Sequence, residues 1–119
     1  MPVEDLTPED IKAGLDSGTM LLIDVREPAE YEAERIPGAL LHALSTFDPS
    51  AMPTDADRRV ILHCKSGGRS ARAAEACQAA GVNVTGHMAG GIGAWKEAGF
   101  PVFRMDPPTG QIVLAQDGA

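Results

Sequence analysis

Val60-Ile61-Leu62-His63-Cys64-Lys65-Ser66-Gly67-Gly68-Arg69-Ser70 passes from an apolar run, through a cysteine-led loop with two glycines, into an alanine-rich stretch. Val60 to Leu62 is too short for a helix and has the composition of a strand buried on both faces of a parallel sheet. Gly67 and Gly68 accept positive φ and carry no side chain, so the loop amides are free to converge on one point. That point lies over Cys64. A helix is predicted from Ser70 to Ala80; its unpaired first N–H groups add partial positive charge there, and Lys65 and Arg69 add formal charge. A cysteine in such a field has a lowered pKa and is largely thiolate near neutral pH, the form that attacks. The same amides bind an anion. The competing reading is an inert core thiol in a strand-to-helix turn. It leaves two glycines, two hydroxyls and two cations after the cysteine without a purpose.

Four residues separate Cys64 from Arg69, a Cys-x4-Arg spacing. The cradle of cysteine phosphatases and related arsenate reductases is Cys-x5-Arg, long enough to wrap a tetrahedral oxyanion, and here Ser70 stands where that Arg would be. A tighter ring suits a smaller species on the cysteine, such as one extra sulfur atom. In this loop the chain resembles the single-domain rhodaneses, or thiosulfate sulfurtransferases, whose active loop has this length and begins with the nucleophilic Cys. The resemblance runs from about Leu6 to Val102. Leu22-Ile23-Asp24-Val25-Arg26-Glu27 with Glu30-Tyr31 is similar to the family's first signature, and Ile36-Pro37-Gly38-Ala39 to its next. Gly90-Gly91-Ile92 with Trp95, then Gly99-Phe100-Pro101-Val102, resembles its C-terminal signature. One departure is visible: Glu34-Arg35 stands where members often carry Gly-His. It touches only a role assigned to that His.

At 119 residues the chain is one domain with room for a single core. Its hydrophobic fraction of 44% and charged fraction of 23% are those of a soluble globular protein, and no apolar run approaches a membrane span. The start, Met1-Pro2-Val3-Glu4-Asp5, lacks the basic-then-apolar order of a secretory signal, so the expected location is the cytoplasm. A net charge of -7 argues against nucleic acid and anionic lipid as partners. Cys64 and Cys77 are too few for a metal site, and His42, His63 and His87 follow no ligand spacing. Cys77, two turns into the helix after the loop, reads as a small buried hydrophobe.

Thr7-Pro8-Glu9-Asp10 opens a helix that Gly18 ends, with Ile11 and Leu15 on one face. Met20 to Val25 reads as a buried strand, with Asp24 and Arg26 at its C-terminal end as a structural ion pair. Pro28 to Glu34 reads as a short helix with Tyr31 as inward anchor, and Ala39 to His42 as a brief strand. Ser45 to Arg59 is rich in Asp, Pro and Ser and holds one or two helical turns around Pro49 to Met52. His42 reads as a strand-end packing or surface residue. His63 points away from Cys64 if the strand stays extended, which argues against a role as base. The helix from Ser70 is small-sided enough to approach the sheet closely, and Gly81 ends it. Val82 to Met88 reads as a strand leading to Gly90-Gly91 at the mouth of the site. Ile92, Trp95 and Lys96 form a last short helix, with Trp95 as a core anchor. Beyond Asp106-Pro107-Pro108-Thr109-Gly110, a turn signal, Gln111 to Ala115 is either a strand returning on Pro101 to Arg104 or a loose tail.

Strands alternating with helices make this an α/β fold, and the resemblance implies a rhodanese-like three-layer arrangement: a central, mainly parallel five-stranded sheet with helices on both faces. The expected division is residues 1–103 as the rhodanese-like domain and 104–119 as an extension. The resemblance implies a sulfurtransferase, with Cys64 carrying a persulfide between an anionic donor (thiosulfate or a persulfide) and a thiol or cyanide acceptor. Lys65, Ser66, Gly67, Gly68, Arg69 and Ser70 are the expected substrate-binding residues, Arg69 alternatively bracing the helix start. No metal, nucleotide or organic cofactor is implied, and oligomeric state is open. A non-catalytic or sulfide-sensing docking module is the alternative; degenerate versions of this fold generally lack the Cys. A Cys-dependent phosphatase or arsenate reductase ranks behind both because of the short loop.

Overall fold

The computed structural model describes residues 3–53 and 57–116. Met1 and Pro2, positions 54–56 of the Ser45 to Arg59 segment, and 117–119 of the expected extension lie outside the described residues. Five parallel strands form the central sheet in the order β1 (Glu4–Leu6), β6 (Gly86–Met88), β5 (Arg59–His63), β2 (Met20–Asp24), β4 (Leu40–Leu41). The α/β expectation holds.

Alternation along the strands sorts the core into two layers. Leu21, Ile23, Val60, Leu62 and Cys64 face α3 (Gly68–Ala79), meeting Ala73, Ala74 and Cys77. Leu22, Ile61 and Met88 face the other way, onto Ile11 of α1 (Pro8–Ser17) and Ile92 and Trp95 of α4 (Gly91–Glu97). Each of Leu22, Ile61 and Leu62 is fully buried, stabilising the fold by about 2 kcal/mol apiece. The buried positions of α3, namely Ser70, Ala73, Ala74 and Cys77, recur at one helical face. That stripe carries Ser70 onto the sheet beside Cys64.

Several boundaries differ from the sequence reading. Helix α3 begins at Gly68, not Ser70, and Gly67 takes the left-handed conformation (φ 111°) whereas Gly68 is helical. The strand expected over Val82 to Met88 is confined to Gly86–Met88, because Val82 and Val84 turn back on the end of α3 through Val82 N–H to the Cys77 carbonyl. Helix α2 (Pro28–Ala33) stops one residue short, since Glu34–Arg35 (β3) pairs antiparallel with β7 (Val102–Met105). Tyr31 is half-buried rather than an inward anchor: its hydroxyl donates to the Ala39 carbonyl at 2.6 Å, and Arg35 lies over its ring. β7 pairs in turn with β8 (Ile112–Ala115), so the C-terminal residues make a hairpin in a second, three-stranded sheet. β7 runs across the boundary expected at 103/104. Strand β1, with two charged residues in three, had no signature of its own.

Candidate active site

Cys64 follows directly on β5, at the C-terminal edge of the sheet, where parallel strands leave room for a site. Its carbonyl accepts from His63 Nδ1 (3.1 Å) and from the Ile92 N–H at the head of α4 (2.9 Å), while the Lys65 carbonyl accepts from the Gly93 N–H (3.2 Å). A trans peptide carries its N–H opposite its carbonyl. Taking the Lys65 carbonyl toward α4 therefore turns the Ser66 N–H inward, toward the sulfur. Gly91 permits the approach: it has φ 60°, and a Cβ there would lie 2.4 Å from the Cys64 carbonyl oxygen.

The Gly67 N–H donates to Cys64 Sγ at 3.0 Å, and Sγ lies 3.6 Å from Ser70 Oγ. Burial raises the thiol pKa, but the Ser70 N–H and hydroxyl and the Gly67 and Ser66 N–H groups together outweigh it and hold Cys64 below the ordinary thiol value. Among the described residues no such donors act on Cys77, and burial pushes it up. The convergence of amides expected from the sequence is present. Its openness is not: Cys64 is only 1% exposed, covered by its own loop among apolar neighbours. A reacting atom reaches the sulfur only by entering that ring, which favours a small, unbranched terminus.

The predicted binding residues divide. Gly67 and Ser70 are buried against the sulfur; Ser66 is exposed and contributes its backbone N–H, and Gly68 is exposed and opens α3. Lys65 is exposed and lines a cleft of about 310 Å³ with Arg26, Glu30, Glu34, Ile92 and Lys96. Arg69 is engaged elsewhere: its Nη1 and Nη2 donate to Glu30 Oε1 and Oε2 of α2 at 2.7 and 3.0 Å. The reason is electrostatic. A cation in the first turn of a helix faces the positive end of the macrodipole, and Glu30 neutralises it.

That pair also acts on pH dependence. The Arg69 hydrogen bonds, against a smaller burial penalty, lower Glu30 from 4.5 to about 2. A carboxylate depressed by folding adds stability above its unfolded value near 4.5, and that stability is lost as pH falls toward about 2. With the Glu30 side chain 33% exposed, solvent screening limits the pair to about 1 kcal/mol. Urea unfolding of wild type and Glu30→Gln, followed by Trp95 fluorescence, will therefore differ by about that amount near neutral pH and converge in acid. A difference that persists at the acid end contradicts this.

Asp24 and Arg26 pair with each other in the interior, Arg26 Nη2 donating to Asp24 Oδ2 at 2.8 Å and also to the Glu34 carbonyl at 2.6 Å. They tie the end of β2 to β3. His63 lies on the face opposite Cys64; burial lowers its pKa against the pull of Asp24, so it is a neutral ring that donates to the Cys64 carbonyl and fixes the loop's first peptide. Its Nε2 has no hydrogen-bond partner among the described residues. His42 stacks on Phe47 at 4.5 Å and accepts from the Asp48 N–H, a packing role. Trp95 is buried with Nε1–H donating to the Pro101 carbonyl at 2.8 Å. Sequence reasoning missed His87, 5% exposed, whose Nδ1 lies 2.8 Å from Ser70 Oγ. No local signal marks it, because the neighbour that matters is 17 residues away.

Among the described residues no helix is long and apolar enough to cross a membrane. A protein from Mycobacterium tuberculosis named "Probable adenylyltransferase/sulfurtransferase MoeZ" is 41% identical over 93 residues, covering 76% of this chain and 24% of its own length. One from Allochromatium vinosum named "Sulfurtransferase" is 33% identical over 87 residues, covering 73% of this chain and 81% of its own. The chain thus spans about a quarter of one relative, 24%, and 55% of another, an uncharacterized Synechocystis protein. The crystal structure of a rhodanese-related protein from Thermoplasma volcanium superposes with a TM-score of 0.71 at 27% identity, covering 83% of this chain and 96% of that one. The family model described as rhodanese-like domain matches residues 7–98, from the cap of α1 to the end of α4 and so across the whole cysteine loop. With the parallel sheet and the loop geometry, this places the chain in the rhodanese-like domain family.

Proposed function

We propose that the chain is a sulfurtransferase in which Cys64 carries a sulfane sulfur. The Cys64 thiolate attacks the outer sulfur of an anionic donor such as thiosulfate; the donor S–S bond breaks, and sulfite leaves with the bonding pair. A thiolate or cyanide then attacks the outer sulfur of the Cys64 persulfide, and the released pair restores the Cys64 thiolate. The observation that carries the reading is the 3.0 Å Gly67 N–H bond to Sγ, backed by the inward Ser66 and Ser70 amides. Preorganised dipoles of this kind stabilise the thiolate and the persulfide anion, and they need no reorganisation as charge moves. Lys65, at the cleft rim, attracts the donor by its charge.

The covered sulfur supports an atom-sized cargo over a phosphoryl group. A phosphate would also need a guanidinium over the loop, and Arg69 is held by Glu30. A docking module without chemistry has no use for the aimed amides.

The test is intact-mass measurement after exposure to thiosulfate. Wild type and Cys77→Ala gain the mass of one sulfur, and Cys64→Ser gains none. An adduct that follows Cys77 defeats the reading.

A further inference from the structure

A line of hydrogen-bonding groups leads from the covered sulfur to solvent. Cys64 Sγ lies 3.6 Å from Ser70 Oγ, Ser70 Oγ 2.8 Å from His87 Nδ1, and His87 Nε2 3.0 Å from Asp5 Oδ1. Cys64, Ser70 and His87 are 1%, 0% and 5% exposed, whereas the Asp5 side chain is 74% exposed. None of the four lines the Lys65 cleft. The adjacency of β1 and β6 creates the last contact, with Asp5 and His87 directly opposite in the register.

Donor and acceptor capacities set the order of protons. An ionised Asp5 only accepts, so His87 Nε2 bears hydrogen; a neutral ring then leaves Nδ1 to accept from the Ser70 hydroxyl. The Ser70 oxygen keeps a lone pair for the Cys64 S–H. All the bonds run in one direction, from thiol to carboxylate.

We propose that Ser70 and His87 take up the thiol proton of Cys64, with Asp5 holding the ring. As the Cys64 S–H bond breaks, its proton goes to Ser70 Oγ while the hydroxyl's own proton passes to His87 Nδ1. The products are a Cys64 thiolate, an unchanged neutral Ser70 whose O–H now faces the sulfur, and a His87 imidazolium donating to Asp5. No other reactant is needed. The Ser70 hydroxyl also lies 3.1 Å from the Gly67 carbonyl, an alternative acceptor while the ring is charged. His87 acts through Ser70 and is a positioning residue.

The charged and titratable groups around it come from each packed element. β1 supplies Asp5, and the end of β5 supplies Cys64. Arg59 of β5 is bound to Thr85 beside β6 and to Glu4 of β1. The head of α3 supplies Ser70 and, acting on the Cys64 charge, Arg69. The proposal rests on Cys64 being the nucleophile of the sulfur-transfer reading, but its test needs no sulfur donor, so either can fail alone.

The experiment titrates the thiolate by ultraviolet absorbance on a Cys77→Ala background, and the His87 ring by NMR. His87→Gln keeps a hydrogen bond to Ser70 but cannot hold the proton; it will raise the Cys64 midpoint by about one pH unit, slowing alkylation about tenfold at pH values well below the wild-type midpoint. Asp5→Asn, at an exposed position, will shift the midpoint the same way by less. Reciprocally, Cys64→Ser will lower the NMR midpoint of His87, because the thiolate that favoured the imidazolium is gone. Cys64 midpoints unchanged in both variants, or a His87 titration indifferent to Cys64→Ser, overturn the proposal. If His87→Gln fails to fold, the Asp5 and Cys64 variants still decide it.

Discussion

On the proposed sulfur-transfer route, thiocyanate formation from thiosulfate and cyanide will fall at least about a thousandfold in Cys64→Ser, because removing the nucleophile of a two-step covalent scheme removes both half-reactions. Serine keeps the size and the hydrogen bonds, but its alkoxide is inaccessible where the cysteine is held below its usual pKa by the loop amides. Cys77→Ala is the control. Cys77 is a buried thiol pushed up by desolvation, with no loop amides around it, and its loss will change the rate less than about twofold. Steady-state assays of the purified variants separate these outcomes. Residual turnover in Cys64→Ser near the wild-type rate would mean that the sulfur travels by another route.

Gly67→Ala and Gly68→Ala form the second test, adjacent positions with opposite expectations. At Gly67 φ is 111° and a Cβ would sit 2.0 Å from the Ala89 carbonyl oxygen, a backbone atom that cannot swing aside. Left-handed strain and that collision together cost about 3 kcal/mol or more. Relief rotates the peptide that donates to Cys64 Sγ, so sulfur loading fails along with stability. At Gly68 the backbone is helical and nothing lies within 4 Å of the added atom. Alanine there will be neutral or stabilising by up to about 1 kcal/mol through reduced freedom of the unfolded chain. Urea unfolding measures the first effect and intact mass after thiosulfate the second. Equal behaviour of the two variants would show that loop geometry does not depend on Gly67.

The same contrast shows where the sequence could be read and where it could not. Val60 to Leu62, the glycine pair and the alanine stripe are signals within one element, and each led to the strand, turn and helix that the structure contains. Signals spread along neighbouring turns also marked α1, β2, α4 and the alternation that makes the fold α/β. Which glycine bends and which begins the helix was not decided locally, because the carbonyl of Ala89, on another loop, sets that requirement at Gly67.

By itself, then, the sequence determined the α/β class, the cysteine loop and the direction from which amides approach position 64, since these follow from short-range backbone preferences and apolar periodicity. Apart from the Asp24–Arg26 pair, two positions apart and already legible, only the tertiary structure decided what the charged side chains around the loop do. Arg69 turned to Glu30 across 39 positions, and His87 met Asp5 across 82. The physical reason is that such partners are chosen by strand order and helix packing, with β1 placed beside β6 and α2 beside the head of α3. A charge gains a great deal from an opposite charge or hydrogen-bonding group that the fold brings within about 3 Å, and at Arg69 and His87 that group is far away in the chain.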